Sequence, residues 1–191
     1  MISYNRQLFA KIRKTMNLWT IRKKISLKSH ISRSAQINKK ALISGQVFIS
    51  DNVSIGQSKI TSENDYSIKI GKDTTIRDCV LICAKDSNFE FHELETKKVR
   101  DIFIGNKVFI SGEVSIHGPT IISDGTFIGH GTTIVNSKIG PDCLIEENVV
   151  VKNVVIPEDT VVPSKSIIDS VEKVNELLLN QKQRDSFAKA G

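Results

Sequence analysis

The sequence predicts an all-β solenoid: a parallel β-helix of triangular coils, with one helix before it and one after. Three observations carry this. Branched aliphatic residues recur every six positions. A small or β-branched residue stands two positions before most of them. Gly often follows them directly. A helix repeats at 3.6 and an isolated strand at 2, so neither gives a period of six. A flat strand with a corner every six residues does.

The residues fall into order along the chain. Residues 1–28 read as a basic amphipathic segment, with Tyr4, Leu8, Ile12, Met16 and Trp19 on one stripe and Arg6, Lys11, Arg13 and Lys14 off it. Residues 29–168 carry the repeat. Ile31, Ile37, Ile43, Ile49 and Ile55 keep register; Ile70, Ile76 and Ile82 resume it. Ile104, Ile110, Ile116, Ile122, Ile128 and Ile134 continue it. One residue is then dropped before Ile139, Ile145 and Val151, and another before Ile156, Val162 and Ile168. These twenty markers give six to seven coils of about eighteen residues, stacked at strand spacing, roughly 4.8 Å. The charged stretch 83–101 interrupts the rhythm as an insertion. Residues 169–191 read as a helix packed outside the prism, capped by Asp169 or Ser170, with Glu172 near its start and Val171, Val174, Leu177 and Leu178 as its apolar stripe.

Charge is unevenly spread. Residues 1–50 hold eleven Lys or Arg and no acid; the rest holds sixteen basic and twenty-one acidic residues. An acidic body argues against nucleic-acid binding, while the basic head suits an anionic membrane surface or a docking site on a larger protein complex, through residues 1–26. A basic, acid-poor leader also has the composition of a mitochondrial transit peptide, and covering the open end of the coil stack is a third use for the same stripe. Three cysteines without paired spacing make a disulfide scaffold improbable and a reducing compartment the better expectation. No apolar run is long enough to span a membrane.

Residues 101–168 resemble the γ-class carbonic anhydrases and their carboxysome-shell relatives. The resemblance is carried by His117-Gly118-Pro119, by Gly125-Thr126-Phe127-Ile128-Gly129, and by Ile156-Pro157 with Val162-Pro163-Ser164; it extends back through Arg77-Asp78-Cys79-Val80-Leu81 and covers most of residues 30–190. It implies a left-handed coil and a trimer, homomeric or mixed with related subunits. It also implies zinc held by three histidines between two subunits. Position by position, the ligands fall on Cys83, Gly112 and His117, so one histidine is kept. The family's arginine falls on Thr61 and its companion acid on Glu63. Its glutamine–aspartate pair falls on Arg77-Asp78, and its proton-shuttling carboxylate near Asp86.

A zinc hydratase needs imidazole or thiolate ligands and one open position for water. One coil separates Gly112 from His130, so His130 should stand over the vacant position. Cys83, His117 and His130 are thus a candidate ligand set shared across an interface. Cys83 as a small filler and His117 as an interface hydrogen-bonder are the plainer alternatives.

Three functions follow. The leading one is a non-catalytic, zinc-site-degraded subunit of a larger assembly, such as mitochondrial respiratory complex I, membrane-associated on the matrix side, with the cytoplasm as the alternative setting. The second is a zinc carbonic anhydrase with an unusual ligand set, in which His117 and Asp86 are catalytic. The third is a coenzyme A-dependent acyltransferase with His117 as general base.

Overall fold

The computed structural model describes residues 28–63, 65–85 and 101–188, with side chains as far as Gln183. The basic segment 1–26, the body of the insertion and Asp86 lie outside the described residues. Within them, twenty-one short strands form three parallel seven-stranded sheets. Each strand pairs with the third one after it in sequence. That is the wiring of a three-sided coil repeated seven times.

The registers show what the period does. Ile104 lies beside Ile122, Ile110 beside Ile128 and Ile116 beside Ile134, eighteen residues apart. In the next coil Ile122 meets Ile139, Ile128 meets Ile145 and Ile134 meets Val151, seventeen apart. The turns absorb the dropped residues while the inward side chains stay stacked. One marker escaped the pattern: Ile60, which pairs with Ile43 and Ile82. It follows Ile55 by five residues because that turn is one residue short. With Ile60 there are three markers per coil in all seven coils, and the markers from Ile104 through Val162 are fully buried. The ladder also runs into the segment read as insertion as far as Ala84, and it resumes at Ile102.

The small-residue positions line the corners. Thr74, Thr126, Thr132 and Thr160 are fully buried there. A buried hydroxyl needs a partner, and each has one: Thr74 donates to the Gly105 carbonyl at 2.8 Å and Thr126 to that of Gly140 at 2.9 Å. Cys143 occupies the same kind of position, donating to the Pro157 carbonyl at 2.9 Å, so it is a core residue. Gly129 shows why glycine follows a marker. A Cβ there would lie 2.5 Å from the Glu146 backbone of the next coil.

The C-terminal helix, α1 (Val171–Ala188), starts at Ser170, whose hydroxyl accepts from the Lys173 amide at 3.4 Å; Asp169 instead pairs with Lys173 at 2.6 Å. The predicted stripe is narrower than expected: Val174 and Leu177 join the core and Leu178 is partly buried, but Val171 is exposed. The helix lies outside the prism, against its end. Val155, on the outer face of the last coil beside α1, is still 37% exposed. The Gln181 side chain instead accepts from the Val161 amide at 3.0 Å and donates to the Asp159 carbonyl at 2.7 Å. In earlier coils the matching amides, those of Phe127 and Leu144, donate to the following coil. Gln181 stands in for an eighth coil, so α1 closes the end of the stack.

Replacing Gln181→Ala leaves the Val161 amide without its acceptor. The expected cost is about 1 kcal/mol, with faster hydrogen exchange at Val161 and unchanged exchange in the first four coils.

Candidate functional site

The third strand of each coil builds one outer face of the prism. Strands alternate their side chains, so Ile82, Ile116 and Ile134 point inward while Cys83, His117 and Val135 point out. These three are direct register partners. Thr61 continues the column below Cys83, and Lys152 continues it beyond Val135. The structure therefore brings Cys83 and His117 together on adjacent coils. Cys83 is 9% exposed and His117 is half-buried.

His117 is held from two sides. Its backbone carbonyl accepts from the Thr120 hydroxyl at 2.6 Å and from the Asn136 amide at 3.3 Å. Its ring Nε2 lies 2.9 Å from Ser115 Oγ. Ser115 precedes it by two residues, on the same face of the same strand. Burial, and then the positive charge of Lys85, hold the imidazole below its ordinary value of 6.5. At neutral pH the ring is uncharged, with one nitrogen at Ser115.

His130 lies elsewhere. It sits in the turn leading into this face, whereas His117 sits where the face ends one coil earlier. The eighteen-residue ruler holds: a Cβ on Gly112 would lie 3.5 Å from His130 Nδ1 and 3.3 Å from the Asp78 carbonyl. His130 Nε2 is 3.5 Å from Glu113 Oε2, both exposed. Thus Asp78, Gly112 and His130 stack at one corner, and Thr61, Cys83 and His117 at another. Among the described residues no three His, Cys, Asp or Glu side chains come together within the chain to hold a metal ion. Cys83 and His117 are one ligand short of a zinc site, so within one chain the donor set does not fit the metal. Sequence reasoning missed Ser115 and Lys85. The two-residue spacing from Ser115 to His117 was the available signal for the first; Lys85 carried none, because it is one of several charges in the stretch 83–101.

No protein-family model matches the sequence, and no curated protein matches it. Solved structures do. A hexapeptide transferase family protein from Anaplasma phagocytophilum superposes with a TM-score of 0.56 at 14% identity, over 85% of this chain and 92% of that one. This shows the fold, a hexapeptide-repeat left-handed β-helix. UDP-N-acetylglucosamine acyltransferase from Francisella novicida matches at a TM-score of 0.32 and 17% identity, over 75% of this chain and 62% of that one. A GDP-perosamine N-acetyltransferase from Caulobacter crescentus, in complex with CoA and GDP-perosamine, matches at 0.36 and 16%, over 82% and 59%. The chain spans less than two thirds of these last two.

The contrast between two glycines is testable. Gly112→Ala should lower the melting temperature only slightly, because the added methyl would press on the Asp78 carbonyl at 3.3 Å and meet His130 Nδ1 at an ordinary 3.5 Å. Gly129→Ala drives a methyl into backbone and should lower it by several degrees. Thermal unfolding of the two variants side by side measures the difference.

Proposed function

We propose that this chain is a subunit of a trimeric acyltransferase that uses a coenzyme A thioester as donor, with His117 as general base. The observation that carries the reading is the His117 ring: half-buried, on an outer face, with one nitrogen at Ser115 and no second hydrogen-bond partner for the ring among the described residues; burial and then Lys85 disfavour its protonation. The hexapeptide transferase family protein named above has the same fold over 85% of this chain, which is compatible with this class of chemistry. Apolar residues on the same face, Leu81, Val135 and Val150 with the 56% exposed Ile167, suit a neighbouring copy packed beside it.

The chemistry is short. His117 takes the proton from an acceptor hydroxyl or amine as that group attacks the thioester carbonyl. The tetrahedral intermediate collapses, the carbon–sulfur bond breaks, and the thiolate takes the proton from the imidazolium. The products are the acylated acceptor and free coenzyme A. Low basicity suits this cycle, because the ring must be neutral at the start of each turnover.

A second reading rests on a separate observation, the stacking of His130 over Gly112. In a trimer, His130 of one copy would join Cys83 and His117 of the next, giving a shared zinc set in place of the three histidines that the carbonic-anhydrase resemblance implies. A third, the structural subunit of a mitochondrial assembly docked through residues 1–26, rests on the sequence alone.

Calorimetry with acetyl-coenzyme A separates these. Binding that persists in His117→Ala, with acyl transfer reduced by about 10²–10⁴, supports the first reading; no binding by the full-length protein removes it. The acid limb of kcat/KM should fall below pH 6.5, since burial and Lys85 disfavour protonation. Lys85→Gln should move that limb upward. The same depression has a stability consequence. The unfolded chain protonates His117 more readily than the folded one, so its contribution is complete above 6.5 and is lost as pH falls toward the folded value. For the second reading, elemental analysis of purified protein should find zinc near one per shared site; a sub-stoichiometric trace removes it.

A further inference from the structure

We infer that Ser115 is a positioning residue for His117: its hydroxyl holds Nε2 and leaves Nδ1 as the nitrogen that meets the acceptor. The inference rests on the acyltransferase reading but has its own physical basis. The contact is 2.9 Å between two side chains on one strand. Their backbones are fixed on both sides. Ser115 pairs with Leu81 and Thr133, and His117 pairs with Cys83 and Val135. The ring is therefore anchored to a rigid part of the ladder, not to a loop.

A neutral imidazole has one N–H and one lone pair, and its partner decides which nitrogen carries which. If Nε2–H donates to Ser115 Oγ, Nδ1 keeps the lone pair. When Nδ1 takes a proton, Nε2–H still donates to the same oxygen. One contact then serves both the neutral ring and the imidazolium, and the ring need not turn during the cycle. A base oriented by a third group is the arrangement that general-base catalysis calls for. Other groups face the ring without replacing this contact. Cys83 stands beside it, Lys85 acts through charge alone, and Lys152 lies two strands away beyond Val135.

The neighbouring coil supplies the control. Thr133 occupies the position of Ser115 one coil on, so this face accommodates a β-branched hydroxyl. Ser115→Ala removes the contact and Ser115→Thr keeps an oxygen in place. Two measurements test the idea. The first is nitrogen-15 correlation spectroscopy of the His117 ring in full-length protein, at a pH well above the ordinary imidazole value. The wild type and Ser115→Thr should show a single Nε2–H form, and Ser115→Ala a mixture. The second is steady-state acyl transfer with acetyl-coenzyme A. Ser115→Ala should lower kcat about tenfold, a fraction of the 10²–10⁴ that a general base supplies, with KM for the thioester unchanged and Ser115→Thr restoring most of the rate. The same mixture of tautomers in wild type and Ser115→Ala overturns the inference. So does a rate loss that Ser115→Thr fails to restore. If the protein transfers no acyl group at all, the function reading fails while the spectroscopic result still decides the role of Ser115.

Discussion

Everything in this molecule depends on inward isoleucines stacked on one another in parallel register. Ile104, Ile122, Ile139 and Ile156 form one such column, and two like it complete the interior. Each side chain fills the space between its neighbours above and below, so a slip of one residue would turn a whole strand inside out. The backbone ladder adds direction but little choice. Corners do the remaining work: they hold the buried threonines, the glycines pressed on backbone, and turn residues with positive φ such as Asn52, Asp73, Asp142 and Asp159. Asn and Asp tolerate that conformation better than most residues.

This register is also what makes the candidate site intelligible. An outward residue inherits its neighbours from the stack, so Thr61, Cys83 and His117 had to form a column once Ile60, Ile82 and Ile116 did. The same rule put His130 over Gly112. It equally kept the two groups apart, because they belong to opposite edges of one face. A single chain cannot unite them, and any chemistry that needs both requires a second copy.

The fold was almost fully legible because its signal is repetitive and its cause is local burial. Ile60 stands out of phase because a turn is one residue short, and the stripe on α1 places the helix outside the prism without saying which surface it covers. Val171 looked like part of that stripe and lies outside it, since the helix meets the end of the prism over a narrow contact. The site was legible only in part. His117 stood out because His-Gly-Pro is an unusual string in such a repeat, and that string pointed to a hydratase. Ser115 did not stand out, because serine on an outer strand position is ordinary. The two-residue spacing puts it on the same face as His117, but the contact itself depends on a ring rotamer. Nor could spacing show that the Lys85 charge bears on the imidazole.

The closure at the C-terminal end has a wider consequence. A parallel stack is an open-ended template: each coil offers the next a full set of donors and acceptors, and nothing within the repeat says when to stop. An uncapped last coil is an exposed edge, and exposed edges recruit further strands from other molecules. Gln181 binds the Val161 amide with a side chain that cannot propagate the ladder, and Val174 and Leu177 seal the apolar interior behind it. The helix is thus a terminator in the sense used for polymers. It fixes the length of the prism and keeps a fold built like a fibre from growing into one.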